Sequence, residues 1–75
     1  MKLADLALGQ DATIVSMQQL DSQTRKKLMV MGLLPNTSIT LVRVAPFGDP
    51  LQVRVRDVSV ALRKSTASQI DVEVA

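Results

Sequence analysis

At 75 residues, with a net charge of +2 and neither cysteine nor histidine, the chain leaves no room for a two-lobed enzyme, a disulfide-stapled scaffold or the usual thiolate and imidazole sites for iron, zinc or copper. Hydrophobic residues make up 47% of it, yet Phe47 is the only aromatic, so one core has to be closed with Val, Leu, Ile, Met and Ala. The mild positive charge falls short of a nucleic-acid signature, and no apolar run approaches the ~20 residues of a membrane span.

The first residues, Met1 to Leu8, resemble the start of a signal peptide only superficially. Asp5 interrupts an apolar run that is already short, and no small-residue cleavage site follows, so they read as part of the fold. After the turn-forming Gly9-Gln10-Asp11, the β-branched stretch Ala12 to Met17 predicts a first strand. Asp21 or Ser22 can then cap a helix whose body runs from Gln23 to Met31, with Gly32 as a left-handed stop and Pro35 close behind. Such a helix is too short to persist alone in water, and Leu28 and Met31, three apart, are its expected contacts with a sheet. Met29 and Met31 also suit an adaptable contact surface, although their helical spacing favours packing.

Ser38 to Val44 predicts a second strand, and Pro46 to Pro50 a turn. Leu51 to Arg56 carries the cleanest period of two, with Leu51, Val53 and Val55 on one face and Gln52, Arg54 and Arg56 on the other. Val58 to Arg63 repeats it after a tight turn at Asp57. Lys64 to Gln69 makes a turn or a single helical loop, and Ile70 to Val74 closes with a last alternating strand. The sum is a mainly β domain spanning 1–75: a small SH3-like barrel of about five antiparallel strands with one short α-helix between strands 1 and 2. Closure is expected to remove most exposed edges.

Chemistry is sparse. Only carboxylates remain as candidate catalysts, and they are scattered among turns and strand exteriors, with Asp71 and Glu73 alone sharing a strand face. The three glycines stand too far apart for a phosphate-cradling loop. No catalytic residue, metal site or cofactor is expected. Arg43, Arg54, Arg56, Arg63 and Lys64 lie on or beside strands, but nucleic-acid binding by small barrels relies on aromatic platforms, and one ring is not a platform. The segment Ala45-Pro46-Phe47-Gly48-Asp49-Pro50 is the exception to this blandness. Pro46 fixes φ, Gly48 permits positive φ, Asp49 can bond nearby backbone and Pro50 ends donation to the ladder. Phe47 sits between the stiff points. Two readings of it stay open: presentation to solvent as a partner anchor, or folding back to cap the barrel.

Arg25 to Leu28, Met31-Gly32-Leu33-Leu34-Pro35, Arg43 to Pro50, Leu62-Arg63-Lys64 and Ile70 to Val74 together resemble the FeoA family of bacterial ferrous iron transport proteins. The likeness covers nearly the whole chain, and its pieces are specific in combination. Asn36 and Asp57 stand where the family often has glycine; both residue types tolerate a left-handed turn. Ser65 and Thr66 replace acidic residues often seen before Ala67, so a partner contact that needs negative charge there is not carried over. The resemblance implies an SH3-like fold and a cytoplasmic accessory role beside FeoB, the membrane GTP-binding iron transporter, with any place at the inner membrane reached through that partner. The expected contact residues are Leu33, Leu34, Phe47, Arg54 and Arg56. Weak self-association stays open, and the alternative function is a stand-alone nucleic-acid-binding barrel. With no high-affinity iron ligands in the sequence, a part in iron uptake should be indirect.

Overall fold

The computed structural model describes residues 1–74. Five strands, β1 (Asp11–Ser16), β2 (Ser38–Val44), β3 (Leu51–Val55), β4 (Val58–Leu62) and β5 (Asp71–Val74), form one antiparallel sheet in the order β4-β3-β2-β1-β5. Helix α1 (Ser22–Val30) connects β1 to β2, and the single turn α2 (Lys64–Ala67) connects β4 to β5. The β1 to β5 closure and the helix between strands 1 and 2 give the SH3-like architecture expected from the sequence. Register shifts between Ile14 and Ser16 and between Leu41 and Arg43 supply the local bends that a tightly curled sheet needs.

Side chains alternate about this sheet as the period of two requires. Ala12 and Ile14 of β1, Ile39 and Leu41 of β2, all three apolar residues of β3, Val60 and Leu62 of β4 and Val72 of β5 point into a wholly aliphatic core. Leu3 and Leu6 join them, so the N-terminal residues do belong to the fold. They also seal one margin of the sheet. The Val72 N–H donates to the Met1 carbonyl at 2.8 Å, the Leu3 N–H to that of Ile70 at 2.9 Å, and Lys2 Nζ lies 2.6 Å from Asp71 Oδ1.

Helix α1 begins where an Asx cap allows: Asp21 Oδ2 accepts from the Thr24 N–H at 3.1 Å. It ends in a Schellman motif, with the Gly32 N–H bonding the Met29 carbonyl, the Leu33 N–H bonding that of Leu28, and Gly32 at φ +99°. The motif brings Leu28 and Leu33 together as its apolar clasp, and both are buried. Met31 packs half-buried against the core, whereas Met29 is exposed. The next turn, Leu34 to Thr37, holds Asn36 at φ +67°, and its Asn36 N–H and Thr37 carbonyl bond Ile14 of β1.

Two expectations change. The third strand stops at Val55, because Arg56 and Asp57, at φ +51° and +72°, form the two-residue turn of the β3–β4 hairpin; that turn requires positive φ at both positions to match strand twist. Nor does closure hide both margins. The N-terminal residues cover β5, but among the described residues no strand pairs with the outer margin of β4.

Candidate partner-docking surface

The turn between β2 and β3 is built to be stiff. The Gly48 N–H donates to the Ala45 carbonyl at 2.8 Å and the Ala45 N–H to that of Pro50 at 3.1 Å, with Gly48 at φ +85° and the Asp49-Pro50 peptide cis. Asp49 does not bond its neighbours, as turn aspartates commonly do. Its Oδ1 accepts from the backbone N–H of Lys64 at 2.9 Å, capping α2 from fifteen residues away in sequence. Arg63, the residue that precedes α2, provides no side-chain cap of its own, so the carboxylate satisfies one of the orphan donors of that turn. The two motifs Asp49-Pro50 and Leu62-Arg63-Lys64 are thus one structural device.

Phe47 projects from this frame with 99% of its surface exposed. The largest apolar side chain of the chain contributes nothing to the core, so it does not fold back to cap the barrel. Beside it, Arg43, Ala45, Pro50, Gln52 and Ala61 line a shallow cavity of about 210 Å³.

The other expected contact residues do not gather around Phe47. Leu33 is fully buried, and as the clasp of the Schellman motif it has no surface to offer a partner; its place among the contacts is corrected on that ground. Leu34 is half-buried. Arg54 and Arg56 are exposed at the far end of β3, where Asn36, Thr37, Ser38, Thr40 and Asp57 join them around a polar cavity of about 370 Å³. Neither guanidinium is ion-paired: among the described residues the one salt bridge is Lys2–Asp71. At ~3.4 Å per residue, the length of β3 sets this basic corner on the order of 17 Å from the Phe47 turn, so the exposed candidates fall on two separate surfaces.

Among the described residues no three carboxylates converge as metal ligands, and no helix is long and apolar enough to cross a membrane. The Asp21 carboxyl is held below its ordinary value, chiefly by its hydrogen bonding with Thr24.

The FeoA domain model matches residues 1–74. This chain belongs to the FeoA family. It is 36% identical over 74 residues to a fusion of Fe(2+) transport protein A with the Fe(2+) transporter FeoB from Porphyromonas gingivalis, covering 99% of this chain. The match spans only 9% of that much longer protein. FeoA of Chlorobium tepidum superposes with a TM-score of 0.94 at 31% identity, over 99% of this chain and 70% of its own. FeoA of Stenotrophomonas maltophilia, solved with zinc and described as an SH3 domain protein, gives 0.84 at 30% identity over 97% and 89%. T. acidophilum IdeR reaches 0.87 at 23% identity, with the match covering 34% of that chain; at that identity it shows the fold alone. The names of these FeoA relatives place them in ferrous iron transport.

Proposed function

We propose that this FeoA domain is a protein-binding accessory of ferrous iron uptake that docks, from the cytoplasm, on a FeoB-like transporter and biases its nucleotide or conformational cycle. The observation that carries this reading is Phe47: a fully exposed aromatic on a frame of two prolines, a left-handed glycine and a cross-fold cap. A preorganised anchor loses little entropy on binding. As the one aromatic of the sequence, held clear of the core, Phe47 supports a role through contact. The fusion in P. gingivalis supports the choice of partner, since a shared chain keeps two proteins that act together at high effective concentration.

For docking to regulate, the surface has to prefer one state of the transporter. The test is titration calorimetry of this chain against the soluble GTP-binding part of FeoB, with and without guanine nucleotide. We expect binding whose strength depends on the nucleotide, weakened at least about tenfold by Phe47→Ala, the loss of roughly 1.4 kcal/mol that one modest anchor supplies. Equal affinities for wild type and variant remove Phe47 from the interface. No association in any nucleotide state removes the proposal. The nucleic-acid alternative gains no observation of its own, because the single ring and the Arg54–Arg56 corner lie at opposite ends of β3.

A further inference from the structure

The open margin of β4 is unusual for what it lacks. Edge strands are commonly guarded by a charge, a proline or a bulge. Val58 to Leu62 reads Val-Ser-Val-Ala-Leu, with no charge or proline, and pairs with β3 in unbroken register. The hairpin fixes which groups point outward. A two-residue turn makes Val55 and Val58 a hydrogen-bonded pair, so Val53–Val60 and Leu51–Leu62 are the next such pairs, and the N–H and C=O of Ser59 and Ala61 face away from β3. Both residues are exposed, and their backbone groups meet no partner among the described residues.

This margin does not face bulk solvent along its whole length. At its C-terminal half, a groove of about 260 Å³ separates it from α1, with Lys27, Leu28 and Met31 on the helix side and Ala61, Leu62 and Arg63 on the strand side. Leu28 and Leu62 form its buried apolar part, Thr24 and Thr66 add two hydroxyls, and the lining carries two cations and no carboxylate. Unpaired strand donors and acceptors, a buried apolar part and a cationic lining ask for one kind of occupant: an added strand lies ~4.8 Å from its neighbour and sends alternate side chains to opposite faces. We infer that β4 is a strand-addition site for an extended partner segment that alternates apolar and acidic residues, seated between β4 and α1. Its backbone pairs with Ser59 and Ala61, an apolar side chain enters toward Leu28 and Met31, and a carboxylate meets Lys27 and Arg63. The inference is independent of the transporter reading and of Phe47, and it holds for any protein bearing such a segment.

The probe is a short blocked peptide alternating valine and glutamate, compared with its valine–lysine counterpart, added to the whole chain and followed by amide NMR shifts and hydrogen exchange. We expect the glutamate peptide to shift and protect the Ser59 and Ala61 amides while leaving Phe47 unmoved. The lysine peptide should bind about tenfold more weakly, from exchanging two exposed attractions for repulsions. Ala61→Pro removes an outward N–H without touching the β3 ladder and should abolish the protection of the Ser59 amide. Should that variant fold poorly, the exposed pair Lys27→Glu with Arg63→Glu provides an independent check, and should invert the preference toward lysine. Equal binding of the two peptides, or unmoved Ser59 and Ala61 amides at saturation, overturns the inference. So does protection of these amides that rises with protein concentration before any peptide is added, which would give the margin to a second copy of the chain.

Discussion

Asp49 shows how one side chain can join two stretches that the sequence keeps apart. Its carboxylate caps α2 through the Lys64 N–H, so removing it leaves an orphan donor at the start of α2 and loosens the Phe47 frame at once. Asp49→Ala should lower stability by about 1 kcal/mol, the usual cost of a lost cap, while Asp49→Asn, which keeps an accepting oxygen, should stay close to wild type; urea unfolding of the pair checks this. The cap of α1 behaves differently because it titrates. Hydrogen bonding from Thr24 holds the Asp21 carboxyl below the usual carboxylate range, so its support for the helix is complete above the unfolded value and is lost as pH falls through the lowered one. The Thr24 amide resonance should therefore move with an acid inflection below that of a free aspartate. In Asp21→Asn the inflection should vanish with the helix intact.

At the scale of elements, most of the architecture was legible because local chemistry and burial agree. Gly32, Asn36 and Asp57 all adopt the left-handed backbone that their positions suggested, and the alternation of β3 survives unchanged. The errors have physical sources. Arg56 continues the alternation of β3 by residue type, but a two-residue hairpin needs a second positive-φ residue, and the alternation carries no trace of that demand. Leu33 was misplaced for a related reason. It stands among the expected contacts, although a Gly at the stop already implies a Schellman clasp between the residue after it and the last turn of the helix. That signal was present and would have placed Leu33 in the core. The two leucines should part company on truncation: Leu33→Ala should cost about 3 kcal/mol, as for a fully buried leucine, and the half-buried Leu34 markedly less. Denaturant midpoints of the two variants measure the difference. The open margin of β4 was hidden for another reason, since which strand stays unpaired depends on the global sheet order and not on any local pattern.

For the whole molecule, the division of labour is unequal. Its aliphatic interior holds the sheet without the one aromatic ring, and the Phe47 turn and the Arg54–Arg56 corner stand at opposite ends of β3, with the β4 margin running alongside it between them. Separate small contacts of this kind bind weakly one at a time, and their joint strength depends on how the partner is presented. The P. gingivalis relative joins the FeoA and FeoB parts in one chain, which under the proposed function replaces a bimolecular encounter with an intramolecular one at an effective concentration on the order of millimolar. A loss of affinity that empties the complex of two separate proteins is then absorbed by the tether. Phe47→Ala should accordingly abolish the effect of this chain on FeoB nucleotide turnover when the two are mixed at micromolar concentrations, and leave most of it when the same variant is fused to the transporter by a flexible linker. Equal loss in both formats would mean that Phe47 acts in a step after docking, because no tether compensates for a group needed to tell one transporter state from another.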